Sequence, residues 1–334
     1  MGNLIIGESQ SGKTTFLKVL SKGKAHLKFS DVNVCAVPKE DYRLIQLWKT
    51  FNSKAINFIN IDFVDLPGNT KLSSLTPQLY ERIQKSEILF HVIPLFKGDV
   101  DIEEYINNEQ SEMILRDLEI CERLLKNKKL SMAEKSVLEK IQKNLLEEKP
   151  LNKVDFREDE LKIISSWNFI STKSIFYVVN VSNDQLEDSN LIKEIKNKLE
   201  DKIYFIFPAQ LEEEIIDLSE EESKEYLSIY GIENSVRNQV LDKIFEYNNL
   251  ISFFTAGEKD ARAWKLKKGS TALEAAGVIH SDIARGFIRA EVIRWDELVQ
   301  IGDWKKAYQE GRVRIEKKDY IVQDGDVIYI RFHV

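Results

Sequence analysis

The residues Gly7-Glu8-Ser9-Gln10-Ser11-Gly12-Lys13-Thr14 have the spacing G-x-x-x-x-G-K-[ST], and their types point to phosphate chemistry. Glycines let consecutive backbone N–H groups curl around an anion, and the start of the next helix adds its positive end. Lys13 then reaches the β and γ phosphates, and the Thr14 hydroxyl ligates magnesium. Ser9, Gln10, Ser11 and Thr15 complete the loop, so Mg2+ with ATP or GTP is the expected ligand set. A second motif, Asp65-Leu66-Pro67-Gly68, offers a carboxylate for magnesium and a Gly68 amide for the γ-phosphate. Aspartate before Pro-Gly is also an ordinary turn, and position in the sheet is what favours the metal role.

These groups need a scaffold. The apolar run 3–6 stops at Gly7 and a helix-compatible stretch follows to Leu20, giving strand, loop and helix in order. Runs 56–64, 88–96, 174–181 and 203–207 have the length and β-branched content of buried parallel strands. Separated by helical stretches, they predict an α/β doubly wound sheet. In such a sheet the base is read beyond the carboxyl ends of the later strands, at Asn180, Val181 and Asn183 and at Ala209 and Gln210. A guanine-specific site uses a carboxylate to accept from two ring donors, whereas the Asn183 carboxamide brings one acceptor and one donor, which favours ATP.

Between the third and fourth runs the period becomes heptad-like. Ile114, Leu118, Cys121 and Leu125, then Leu138, Ile141 and Leu145, predict an inserted antiparallel helical hairpin of coiled-coil type, with Ser131 and Glu134 as a capping box for its second helix. Two ordinary surface helices are the alternative. The charged stretch 212–225 reads as a solvated face. From about Leu250 glycines become frequent and an alternating tail, 327–332, follows Asp324-Gly325-Asp326, which predicts a separate small α+β domain. The expected organisation is 1–108 nucleotide domain, 109–160 hairpin, 161–250 nucleotide domain resumed, and 251–334 C-terminal domain.

Composition narrows the function classes. With 48 basic and 55 acidic side chains the net charge is -7, against a protein that coats nucleic acid with its whole surface, so any RNA contact is local and no DNA partner is expected. Cys35 and Cys121 lack partners at metal or redox spacing, which implies a reducing compartment and no structural zinc. No window reaches roughly 18 consecutive apolar residues and no signal peptide is visible, so a cytoplasmic protein without a membrane partner is expected. Nor does Met1-Gly2 start a myristoylation site, because the sixth residue is Ile6.

With these landmarks the chain resembles the YchF family of Obg-related P-loop ATPases, whose nucleotide domain carries a helical hairpin and whose C-terminus is a β-grasp TGS domain. The likeness rests on Phe253-Phe254-Thr255-Ala256-Gly257-Glu258-Lys259, Arg262-Ala263-Trp264, Ala275-Ala276-Gly277-Val278-Ile279-His280, Gly286-Phe287-Ile288-Arg289-Ala290-Glu291 and Lys318-Asp319-Tyr320-Ile321-Val322-Gln323-Asp324-Gly325-Asp326. Similarity extends through 211–230, and the domain order matches throughout. The nucleotide half departs from the family pattern. Gln10 replaces an asparagine associated with potassium, and the switch threonine falls at Phe29, with Ser30 the nearby hydroxyl. The stretch after Gly68 is shortened, with Asn69 in an apolar position. Asn183 replaces a glutamate, and a loop histidine falls at Glu103 or Glu104, while His91 is retained.

The resemblance implies a slow Mg-dependent ATPase, or GTPase, acting on ribosomes; the alternative is a catalytically weak nucleotide-sensing adaptor. Ribosome or RNA contact would run through the TGS domain and hairpin. Arg262, Trp264, Lys265, Lys267 and Lys268, joined by Arg285 and Arg289, suit RNA phosphates and a stacked base, and equally suit a basic edge strand with a core tryptophan until the resemblance tips the balance. His280 is expected to be a packed or hydrogen-bonded β-grasp residue.

Overall fold

A computed structural model of the chain describes residues 2–24, 32–72, 76–98 and 100–333. Its strands are β1 Asn3–Ile6, β2 Asn33–Lys39, β3 Ile56–Asn57, β4 Ile59–Asp65, β5 Ile88–Ile93, β6 Ser174–Val181, β7 Ile203–Pro208, β8 Leu250–Ala256, β9 Ala261–Lys267, β10 Phe287–Arg294, β11 Arg314–Glu316 and β12 Asp326–Phe332. They form two sheets, and the chain divides into two compact units, Met1–Val37 with Asp62–Arg237 and Pro38–Ile61 with Asn238–Val334.

The first sheet has the order β2-β4-β1-β5-β6-β7. Its β1 runs parallel to both β4 and β5, setting Ile5 opposite Asp65 and Phe90. The chain crosses from β1 to the edge strand β2, returns inward to β4, and then builds outward on the other side through β5, β6 and β7, so the order reverses beside β1, where a doubly wound sheet opens its ligand crevice. The expected strand 88–96 ends at Ile93, because Pro94 cannot donate to the ladder and a short 3-10 turn, Leu95–Lys97, takes over. Strand β2 was not anticipated. It lies at the sheet edge, contains Pro38 and alternates exposed with covered residues, so it lacks the apolar run that marks the inner strands.

Beneath the loop that follows β1, Phe16 sits edge-on to Phe207 at 5.3 Å and near Phe90 at 5.9 Å, while Phe63 and Phe176 pack on Phe90. Each buried phenylalanine contributes about 2–3 kcal/mol of transfer free energy, and this cluster fixes the helix Lys13–Leu20 on the sheet.

The expected hairpin is present as helices Ile102–Leu125 and Met132–Leu146. Ile114, Cys121, Leu138, Ile141 and Leu145 form its buried seam, and Ser131 and Glu134 make the capping box. The first helix begins inside the segment read as nucleotide domain, because Asp101 caps it by accepting from the Glu103 and Glu104 amides. Two buried carboxylates on this helix pin it down. Glu109 accepts from the Leu72 amide, and Asp117 accepts from the amides of Ile170 and Ser171 and from the Ser171 hydroxyl. Among the described residues no helix is long and apolar enough to cross a membrane.

The second unit is a mixed sheet of order β11-β10-β12-β8-β9-β3 with the helix Ala272–Ile279 packed on it. Phe253, Leu266, Ala275, Ala276, Val292 and Ile328 form its core. The arrangement is consistent with the β-grasp fold implied by the resemblance. Residues 38–61 belong to this unit: β3 pairs with β9 at Ile56 and Ala261, the Ser53 hydroxyl donates to the Gly257 carbonyl, and Arg43 bridges Asp41 and Asp324.

Candidate phosphate-loop site

Loop 7–12 leaves the carboxyl end of β1 and enters the helix Lys13–Leu20. Gly12 stands at the helix entrance with φ of 101°, and a Cβ there would meet the Asn180 Nδ2 at 2.3 Å. The backbone conformation requires glycine, and a Cβ would also push the Asn180 amide aside. The Asn180 amide donates to the Ser11 carbonyl at 2.9 Å, so this asparagine braces the loop.

The Lys13 ammonium donates to the carbonyls of Gly7, Glu8 and Gly68 at 3.0, 2.6 and 2.9 Å. Burial lowers the Lys13 pKa against the opposing pull of Asp65 and Glu8. The Thr14 hydroxyl donates to Asp65 Oδ2 at 2.9 Å, and Asn33 donates to the same oxygen at 3.3 Å. Burial raises the Asp65 carboxyl, against those hydrogen bonds and Lys13. Its Oδ1 is buried and meets no donor among the described residues. An unpartnered hard oxygen beside a threonine hydroxyl, at the end of the strand next to the loop, fits a magnesium ion. Thr14 and Asp65 would hold it.

Thr70 is a loop residue that the sequence reading missed. Its hydroxyl accepts from the Gly7 amide and donates to the Gly7 carbonyl, and its own amide donates to that carbonyl. Glu8, inside the motif but given no role of its own, pairs with Lys71 and Lys97 at 2.9 Å each. Neither lysine was marked by sequence spacing, because each reaches the loop only through the fold.

The remaining sequence candidates divide. Ser9 and Gln10 are exposed, Ser11 and Val181 are buried, and Thr15 is half-buried on the first helical turn. Gly68 turns its carbonyl, where the amide was expected to act, toward Lys13. Asn183 opens a short helix capped by Ser182, and its carboxamide oxygen is buried without a donor among the described residues. Ala209 and Gln210 start the helix Ala209–Glu214 beside β6, since Val181 pairs with Pro208. Gln210 is exposed and directed to Glu214. Phe29 and Ser30 lie outside the described residues. Glu103 and Glu104 are exposed, and the ring of fully buried His91 packs near Tyr105 and Tyr177. Burial brings the His91 pKa down to about 3, which keeps it neutral and unsuited to accept a proton at pH 7.

Two expectations need correction. Glu212, at the start of the supposed solvated stretch, is 1% exposed; one carboxylate oxygen accepts from the Val236 amide at 2.7 Å and the other meets no donor among the described residues. The apolar residues around it, Leu211 and Ile215, pack with Leu227 and hide the carboxyl. In the second unit, Trp264 is committed to structure, because its indole N–H donates to Thr255, its ring lies 6.4 Å from Phe253, and Arg262 covers it at 5.0 Å. Lys265, Lys267 and Lys268 remain exposed, while Arg289 pairs with Glu291 and Arg285 with Asp282. His280 is exposed and hydrogen-bonded, its Nδ1 accepting from the Asp282 amide.

Burial pushes the Glu212 carboxyl up from 4.5 to about 7. The folded state therefore holds the proton more tightly than the unfolded one. The contribution is full below the unfolded value and is lost as pH rises through about 7, worth roughly 3 kcal/mol across the window. Burial also pushes Asp117 up, to about 6, so its own loss is largely complete above pH 6, whereas His91, held neutral in the fold, adds stability as pH rises through its ordinary value of 6.5; the difference from a Glu212 variant is what isolates Glu212. Thermal unfolding is expected to show the wild type losing about 1 kcal/mol of stability relative to Glu212→Gln between pH 6 and 8; parallel profiles would exclude this assignment.

Residues 250–333 match the family described as YchF-GTPase_C, a protein of unknown function (DUF933). A ribosome-binding ATPase YchF from Haemophilus ducreyi is 33% identical over 357 residues, covering 99% of this chain and 98% of the relative. The protein of that name from Bacillus subtilis is 33% identical over 360 residues with the same coverage. The solved Schizosaccharomyces pombe YchF GTPase shares the fold, with a TM-score of 0.78, 21% identity and coverage of 99% of this chain and 97% of that one.

Proposed function

This chain belongs to the YchF family, and from that premise we propose that it binds a purine nucleoside triphosphate with Mg2+ at the 7–14 loop and hydrolyses it slowly in the cytoplasm, acting on ribosomes, to which its bacterial relatives bind by name. One observation carries the reading. A buried lysine ammonium rests on three backbone carbonyls at the mouth of a glycine loop, beside a carboxylate with an open oxygen. Phosphate oxygens are stronger partners for that ammonium than neutral carbonyls, so a nucleotide would draw Lys13 away from them. Bound magnesium would offset negative charge on the phosphates, and Thr14 and Asp65 are the residues that would hold it. The loop amides and Lys13 would orient the phosphate chain for attack by water.

For the base, ATP is preferred. Adenine presents an acceptor beside a donor, which one carboxamide can match, and Asn183 has its carboxamide oxygen unsatisfied. Ribosomal contact is assigned to the second unit and the hairpin, with Lys265, Lys267 and Lys268 supplying ammonium groups for RNA phosphates.

The test is ATP and GTP turnover with and without purified ribosomes, for the wild type and Asp65→Asn. ATP turnover that rises with ribosomes and falls by at least about 100-fold in the variant is expected. Binding without turnover above Asp65→Asn would instead establish the adaptor reading, which a glutamate, Glu103 or Glu104, in place of the family's loop histidine favours.

A further inference from the structure

The carboxylate of Glu8 occupies an unusual place. It belongs to the second residue of the phosphate loop, and each of its oxygens holds a different lysine: Oε1 lies 2.9 Å from the Lys97 ammonium and Oε2 lies 2.9 Å from that of Lys71. Lys97 also donates to the Ser9 carbonyl at 3.2 Å, and the Lys71 ammonium sits 5.1 Å from the centre of the Tyr105 ring. Lys13 completes the group by donating to the carbonyls of Gly7, Glu8 and Gly68. Three ammonium groups therefore converge on residues 7–9, from the loop's own helix, from the segment after Gly68 and from the turn after β5. A single carboxylate answers two of them.

We propose that Lys71 and Lys97 are triphosphate-selecting residues that bind the terminal phosphate, and that Glu8 is its internal stand-in, holding both lysines over the loop until a nucleoside triphosphate displaces it. The inference rests on the nucleotide reading of the loop given above. The exchange is feasible on charge grounds. Both lysines and Glu8 are about a quarter to a third exposed, so their pairs lie in a high-dielectric rim and are weakly held. A terminal phosphate brings more negative charge and three acceptor oxygens, and its bonds to ammonium groups are charge-assisted. A diphosphate lacks that group. Its phosphates need the loop amides and Lys13 only, and would leave the Glu8 pairs in place. The two lysines therefore discriminate between triphosphate and diphosphate, a task that the loop backbone alone performs poorly because its amides contact both.

The test is calorimetric titration of the full chain, in magnesium, with ADP and with a non-hydrolysable ATP analogue, for the wild type, Lys13→Ala, Lys71→Ala, Lys97→Ala, Lys97→Arg and Glu8→Gln. Lys71→Ala and Lys97→Ala are each expected to weaken the analogue by about tenfold or more while ADP changes less than about twofold, and Lys97→Arg is expected to restore most of the loss. Glu8→Gln, which frees both lysines, is expected to tighten the analogue several-fold and leave ADP unchanged. Equal losses for both nucleotides, or none, with Lys13→Ala still impaired, would overturn the selecting role and leave the nucleotide site standing. Absence of binding in the wild type, or binding indifferent to Lys13→Ala, would remove the site itself and the inference with it.

Discussion

Replacing Lys13 by alanine is expected to weaken nucleotide binding by at least about 100-fold while the chain stays folded. Among the described residues the ammonium makes three hydrogen bonds, all to neutral carbonyls. Bonds from a charged donor to phosphate are each worth about 1.5–3 kcal/mol, so losing two of them accounts for the expected factor. Stability should move little. The lost carbonyl partners are balanced by removing a cation whose pKa burial already lowers, and two of the three acceptors sit on the partly exposed Glu8 and the exposed Gly68, within reach of water. Equilibrium titration with ATP and a urea unfolding curve on the same preparation separate the two effects. A variant that unfolds early would make Lys13 a structural residue, and an unfolding midpoint that holds with affinity unchanged would mean that phosphate does not bind at this loop.

The second large effect is expected at Asp117, on the long helix Ile102–Leu125. Its carboxylate accepts from the Ile170 and Ser171 amides at 2.8 and 2.7 Å and from the Ser171 hydroxyl at 2.5 Å, with no solvent exposure. Asp117→Ala leaves two buried amides without acceptors at the point where the long helix meets the chain returning to β6, and should lower the unfolding free energy by roughly 3 kcal/mol. Asp117→Asn keeps one acceptor and should lose less. Urea unfolding at pH 7 provides the comparison, and a loss below about 1 kcal/mol in the alanine variant would show that water replaces the carboxylate there.

Much of the nucleotide half was legible because its signals are local. Strand β1, the loop and the helix after it follow one another within a single stretch, and glycine spacing with Lys13 and Thr14 states the phosphate chemistry without tertiary information. The hairpin seam was legible for the same reason, since Ile114, Cys121, Leu138 and Ile141 repeat at a helical period. What escaped depended on distance along the chain. Thr70 clamps Gly7 across sixty-three residues, and Lys97 reaches Glu8 across eighty-nine. No spacing rule connects such pairs. Asp117 and Glu109 were invisible for another reason: on a helix bearing many exposed charges, nothing local marks the two carboxylates that face inward. Trp264 shows the limit of composition, because an aromatic among cations reads the same whether its ring is open or covered, and only the positions of Phe253, Thr255 and Arg262 decide.

The membership of residues 38–61 in the second unit bears on how the protein is made. The first unit has all its residues once synthesis passes Arg237, and can close its sheet while the rest of the chain is still being made. The second unit cannot. Helix Tyr42–Thr50 and strand β3 emerge early, yet Asp324, Gly257 and β9, which hold them, are among the last parts to appear. At a synthesis rate of about 5–20 residues per second, those twenty-four residues wait roughly ten seconds or longer for their partners, with Leu44 and Leu47 uncovered meanwhile. A nascent chain stalled before Asn238 would therefore display two leucines of an amphipathic helix that the finished protein buries, and for this stretch quality control has its opportunity during translation.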